Sequence, residues 1–170
     1  GQAQRVAIAR ALILEPKVLV CDEAVAALDG TVREQVLRLL QQVQQESGLA
    51  IIFIPHDLAV VRAVAHRVVV MYLGSLVEAA SNEALFSTPR HPYTRALLDA
   101  VPVPDPESPG GPTAVTGEVP SALHPPSGCA FHPRGPHVTD ACRSARPVTS
   151  KVGTTTVNCH RAEELASARR

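Results

Sequence analysis

The period of the apolar positions changes along the chain, and each change predicts an element. From Ala7 to Leu14, good helix formers put Val6, Ala9 and Ile13 on one face, and Glu15-Pro16-Lys17 ends the helix. Val18-Leu19-Val20-Cys21 is an uninterrupted apolar run, the pattern of a strand buried on both faces. Thr31-Val32-Arg33-Glu34 fits a capping box in which Thr31 and Glu34 each satisfy a free backbone N–H. Val36, Leu37, Leu40 and Val43 follow at helical spacing, and Gly48 predicts the stop. Leu49 to Ile54 reads as a second buried strand, and Asp57 as the start of a helix carrying Leu58, Val61 and Val64. Arg67–Tyr72 and Ser75–Ala79 predict a strand pair turning at Gly74, with one more helix from Pro92 to Ala100. Strand–helix–strand alternation with continuous apolar strands predicts an α/β fold, a parallel sheet covered by helices.

Composition adds limits. In 170 residues, 45% are apolar and 19% charged, enough for a buried core. Aromatics are only 3%, so Val, Leu, Ile and Ala are expected to build that core. Lys+Arg and Asp+Glu balance at 16 each, which argues against a nucleic-acid partner and a polybasic membrane anchor. No apolar run reaches the ~20 residues of a bilayer span, and no signal peptide opens the chain, so a soluble intracellular chain is expected. Residues 101–170 hold eleven of the fifteen prolines, which puts a compositional boundary near Val101-Pro102.

Ligands of α/β sheets collect at the carboxyl ends of the strands. Asp22-Glu23 follows the first strand, and Pro55-His56-Asp57 the second. Paired carboxylates there suit a magnesium–phosphate site, since Mg²⁺ prefers one or two carboxylates with water and phosphate oxygens. Asp22 could hold the metal, Glu23 orient an attacking water and His56 donate to a phosphate oxygen. The plain alternative, that Asp22 and Glu23 cap a turn and His56 is a surface residue, stays open on spacing alone.

The ordered set of motifs resembles the ATP-binding subunits of ABC transporters, of the oligopeptide/dipeptide importer type. Gly1-Gln2 followed by Ala3-Gln4-Arg5-Val6-Ala7 resembles the end of the LSGGQ signature and its helix. Val18 to Glu23 looks like a Walker B strand, Ala27-Leu28-Asp29 like the D-loop and His56-Asp57 like the switch-histidine motif. Pro89-Arg90-His91-Pro92-Tyr93-Thr94-Arg95, Gly117-Glu118-Val119-Pro120-Ser121 and Pro126-Ser127-Gly128-Cys129-Ala130-Phe131-His132-Pro133-Arg134 resemble peptide-importer segments. The resemblance implies the C-terminal part of a P-loop NTPase sheet in residues 1–100 and a Pro-rich irregular extension in 101–170.

It further implies ATP and Mg²⁺ as cofactors, Glu23 as catalytic carboxylate, Asp22 as the Mg²⁺ residue and His56 as γ-phosphate sensor. Gly1 and Gln2 would face the nucleotide of a second, head-to-tail ATP-binding subunit, and Asp29 would lie at that interface. Transmembrane permease subunits would be the other partners, at the cytoplasmic face of the membrane, with ATP hydrolysis coupled to peptide transport. The sequence departs from the family in five ways, one of them the missing glutamine loop that the resemblance would place against magnesium and the membrane subunits. It holds no G-x-x-x-x-G-K-[ST], so a truncated chain inactive alone is expected. Ala24-Val25-Ala26 stands for Pro-Thr-Ser, Pro55 for Ser, and Ala3 for Arg.

Related subunits carry four cysteines in the extension, a set able to hold an iron–sulfur cluster. Cys129, Cys142 and Cys159 match three, and Gly135 stands at the fourth position. Free thiols without metal are the expectation. The alternatives are a cluster whose fourth ligand is His132, His137 or His160 instead of a thiolate, and a Cys₃His zinc site. Cys21 reads as a small buried core residue. Two other functions stay open: a non-catalytic chain offering only an interaction surface, and a small metal-binding protein acting through the extension.

Overall fold

A computed structural model describes residues 1–101 and 115–167. The chain forms two compact units, Gly1–Ala65 and His66–Arg170. Composition shifts near Val101-Pro102, beside residues 102–114, which lie outside the described residues. The units divide earlier because strands on either side of that shift pair with each other, as set out below.

In the first unit, β1 (Val18–Asp22) and β2 (Ala50–Ile54) pair in parallel, with Val18 opposite Ala50 and Asp22 opposite Ile54. Helices α1 (Gln2–Leu12) and α2 (Gly30–Ser47) supply Ile8, Val36 and Leu40 to a core with Leu19, Cys21 and Leu49. Burial on both faces, expected for the apolar strands, is not found. Leu19 and Cys21 are buried, while Val18 is 50% and Val20 60% exposed, because that core packs on alternate residues of β1 only.

The expected apolar face of α1 is also the wrong one. Val6 and Ile13 are exposed, and Ile8, Ala11 and Leu12 pack inward at one-turn spacing. The capping box on Thr31 and Glu34 is replaced by an Asp29 cap. Its Oδ1 accepts the Val32 N–H at 3.0 Å, so α2 begins before Thr31, and Glu34 instead pairs with Arg38. Gly48 closes α2 at φ 64°, as expected. Asp57 caps α3 (Leu58–Val64), its Oδ1 accepting the Ala59 N–H at 2.8 Å.

In the second unit, β3 (Arg67–Tyr72) and β4 (Ser75–Ser81) form the expected hairpin. Leu73 and Gly74 take positive φ values of 45° and 73° in its two-residue turn. The extension then supplies β5 (Ser150–Val152) and β6 (Thr155–Val157), giving an antiparallel sheet ordered β3-β4-β6-β5. Glu78 of β4 lies opposite Val157 of β6, and Asn158 anchors the join through its Nδ2 to the Leu76 carbonyl at 2.8 Å. Between irregular stretches lie α4 (Asn82–Ser87), α5 (Pro92–Asp99), α6 (Asp140–Ser144) and α7 (Ala162–Ser167). A salient core here is aromatic, against expectation. Tyr72, Tyr93 and Phe131 meet edge-on or tilted, with centroids 4.7 to 5.3 Å apart. Few aromatics are available, but long-range folding gathers three of them in one place. No helix among the described residues is long and apolar enough to cross a membrane.

Candidate functional site

The parallel register of the first unit delivers the predicted residues to one sheet edge. Asp22 ends β1 opposite Ile54, which ends β2, so Asp22-Glu23 and Pro55-His56-Asp57 leave the sheet together. Glu23 turns there with φ 45°, a conformation costly for a residue with a Cβ. Its N–H donates to the Ile54 carbonyl at 2.9 Å and ties the turn to the end of β2. Pro55 sacrifices no ladder bond, because the strand pairing has already ended at Ile54. Glu23, Pro55, His56 and Asp57 line one small cavity, with Arg33 in its wall.

The side chains divide into engaged and open ones. Asp57 is engaged: while Oδ1 caps α3, Oδ2 accepts from Arg33 Nη1 at 3.1 Å. Arg33 also reaches the Leu28 carbonyl at 3.3 Å, bracing the loop after β1 against the start of α3. Sequence reasoning missed Arg33, because its partner lies 24 residues away and leaves no local pattern. Asp22, Glu23 and His56 are exposed, and their side chains form no hydrogen bond among the described residues. Asp29 serves as the α2 cap already described. Gly1 precedes α1, and a Cβ there would sit 2.5 Å from Val32 Cγ1, so the start of α1 lies close against α2. Gly1 and Gln2 do not line the Glu23–His56 cavity.

A second constellation lies within the other unit. Cys129, Cys142 and Cys159, up to thirty residues apart in sequence, line one cavity together with Gly135 and His132. Gly128 makes the approach possible. Its φ is +67°, and a Cβ there would fall 2.4 Å from the Cys142 carbonyl oxygen. The Cys129 N–H donates to that same carbonyl at 2.9 Å. Burial pushes the Cys129 thiol up, while the backbone N–H groups of Phe131 and His132 pull it down. At Cys159, burial likewise pushes up and the Arg161 N–H pulls down. All four cysteines are free thiols, and Cys21 sits in the core of the first unit as expected.

These thiols suit one kind of metal group and not another. A zinc ion needs its sulfurs ~2.3 Å from a single point. Among the described residues no three Cys, His, Asp or Glu converge in that way, so the Cys₃His zinc alternative is not assembled. In a 4Fe–4S cluster each cysteine binds a different iron, and its ligands stand apart around one cavity. A Cβ built on Gly135 meets Val138 Cγ2 at 3.3 Å, the Phe131 carbonyl oxygen at 3.4 Å and Phe131 Cδ1 at 3.6 Å, so a side chain at this position of the cavity wall fits once Val138 gives way by a few tenths of an ångström.

Residues 77–142 match the family described as the oligopeptide/dipeptide transporter, C-terminal region. The chain is 50% identical over 167 residues to the oligopeptide transport ATP-binding protein OppF of Escherichia coli, covering 97% of this chain and 50% of that protein. The chain is homologous to peptide ABC transporter ATP-binding proteins. It is 56% identical over 147 residues to a probable peptide ABC transporter ATP-binding protein of Sinorhizobium fredii, covering 86% of this chain and 42% of that one. A di/tripeptide transport ATP-binding protein of Pseudomonas aeruginosa is 50% identical over 167 residues, 97% of this chain and 51% of its own length. The chain therefore spans about half the length of the peptide-transport relatives it matches.

Proposed function

We propose that this chain works within the ATP-binding subunit of an oligopeptide or dipeptide ABC importer. The observation that carries this reading is the Asp22–Ile54 register, which sets open Asp22, Glu23 and His56 side chains on one sheet edge. Its support comes from relatives that are peptide-transport ATP-binding proteins. Asp22 holds Mg²⁺ directly or through water, and Glu23 orients a water toward the terminal phosphate. His56 donates a hydrogen bond to a phosphate oxygen. Arg33 and Asp57 hold the two loops that carry these groups. ATP, when bound, supplies the phosphoanhydride whose hydrolysis is coupled to peptide movement.

Gly1 and Gln2, at the amino end of α1, present N–H groups to the nucleotide of a second ATP-binding subunit. Asp29 sits near that boundary while capping α2. Permease subunits in the membrane receive the motion, and the chain lies at their cytoplasmic face. Against the expectation of metal-free thiols, the shared cavity supports a reading in which Cys129, Cys142 and Cys159 would hold an iron–sulfur cluster.

Grafting the chain onto the amino-terminal half of the Escherichia coli relative tests the reading. The graft is expected to hydrolyse ATP with Mg²⁺, and Glu23→Gln and His56→Ala each to lower the rate by ~100-fold or more. A graft whose hydrolysis is indifferent to Glu23→Gln sinks it.

A further inference from the structure

The cluster reading leaves one iron without a cysteine, and the structure separates the histidines that stand near it. His160 does not line the cavity, and its Nε2 bonds the Ala145 carbonyl at 2.9 Å. His91 lines the cavity, but its Nδ1 accepts the Tyr93 N–H at 3.0 Å. The proton of that neutral ring is therefore on Nε2, which has no lone pair for a metal. His137 also lines the cavity, but it is exposed and no hydrogen bond among the described residues orients its ring.

His132 lines the cavity too, and it differs from the others in its ring contact: its Nδ1 lies 3.1 Å from the Cys129 carbonyl oxygen. A carbonyl oxygen only accepts, so Nδ1 carries the proton and Nε2 keeps its lone pair. An imidazole whose far nitrogen donates to a backbone carbonyl is the arrangement that orients a histidine ligand and raises its basicity. His132 also stands three residues after Cys129, in the 3₁₀ turn His132–Arg134, and its N–H donates to the Cys129 carbonyl at 2.9 Å. The thiol and the imidazole are thus carried by one rigid turn.

We infer that His132, through Nε2, takes the fourth ligand position left without a thiolate at Gly135. This rests on the cluster reading above, and the group in the cavity is then held by three thiolates and one neutral imidazole. Two consequences follow from the charge. One thiolate fewer makes the bound group less negative, so its reduction potential lies higher than with four thiolates. A nitrogen nucleus also becomes magnetically coupled to the reduced cluster.

The test uses the full chain, reconstituted anaerobically with ferric iron, sulfide and excess dithiothreitol as the reductant. Iron and sulfide content, visible absorption and pulsed electron paramagnetic resonance of the reduced sample are read. The expected result is stoichiometric iron and sulfide, with a histidine-type nitrogen coupling that His132→Ala removes. His132→Ala is expected to lower iron content at least two-fold. His132→Ala combined with Gly135→Cys restores it, without the nitrogen coupling and at a lower potential. The backbone at Gly135, φ −76° and ψ 133°, accepts a cysteine, and His137→Ala serves as the control that leaves the coupling in place. Absence of iron and sulfide from the unmodified chain overturns the cluster reading itself. A cluster whose spectra are the same with and without His132 overturns the present inference alone, as does a nitrogen coupling that disappears with His137→Ala.

Discussion

The Glu78 carboxylate, with none of its surface exposed, accepts the backbone N–H of His91 at 2.8 Å and that of Arg90 at 2.7 Å. One buried side chain in the middle of a strand thereby satisfies the peptide groups that lead into α5. Both bonds are charge-assisted, and neither has a water competitor at a fully buried carboxylate. Arg95 adds to the same corner, donating to the Pro89 carbonyl at 3.0 Å and the Leu165 carbonyl at 3.1 Å. The Pro89-Arg90-His91-Pro92 segment is thus a structural joint of the second unit.

Glu78→Gln is expected to cost about 2 to 3 kcal/mol. The amide keeps the shape but turns an NH₂ toward one of the two donors. Urea denaturation monitored by tyrosine fluorescence measures it. A loss under about 0.5 kcal/mol would show that the buried carboxylate does not hold the joint.

Burial holds the His91 imidazole well below the usual histidine range, at about 4. In the unfolded chain it takes up its proton near 6.5. Between these values the unfolded state binds more protons, so stability falls as the pH falls from about 6.5 and levels off below about 4. The span corresponds to roughly 3 kcal/mol, at about 1.4 kcal/mol per pH unit. His91→Asn keeps an acceptor at the helix cap and removes the titration. Its pH profile, from denaturation midpoints at pH 4 to 7, is expected to be flatter than that of the parent chain, and an unchanged slope would assign the dependence to other groups.

Gly128→Ala is expected to destabilise the second unit by about 3 kcal/mol, because both the backbone conformation and the 2.4 Å approach to the Cys142 carbonyl resist a Cβ. Gly153→Ala is the comparison. It has φ +63° but nothing within 4 Å, and should cost only about 1 kcal/mol. Thiol labelling provides the second readout: Cys129 and Cys142 should react faster in Gly128→Ala and at the parental rate in Gly153→Ala. Equal losses in the two variants would remove the role given to the close approach.

Local chemistry was legible wherever a residue acts on its own neighbours. Gly48 stops a helix, Asp57 starts one and Gly74 turns a hairpin, each through its own backbone or the next few residues. Capping was misread at α2, where Thr31 and Glu34 fitted a capping box and the structure caps the helix with Asp29 instead. The composition shift at Val101-Pro102 did not foretell that β4 and β6 would pair, since a shift in composition carries no information about strand partners.

By itself the sequence determined the element types up to the β3–β4 hairpin and at α5, and the chemical identities at Asp22, Glu23, His56 and the cysteines, because periodicity and residue type are local properties. The short strands β5 and β6 of the extension, expected to be irregular, form only through pairing, β6 with β4 and β5 with β6. Tertiary structure alone decided which residues meet. It chose Ile8 over Val6 and Ile13 as the buried side of α1, and it placed Arg33 against Asp57. It also gathered three rare aromatics, and brought Cys129, Cys142 and Cys159 around one cavity with the His132 tautomer set by a carbonyl. Those outcomes depend on contacts between segments far apart in the chain. The free energy of such contacts comes from burial and hydrogen bonding, realised only when the whole unit has folded.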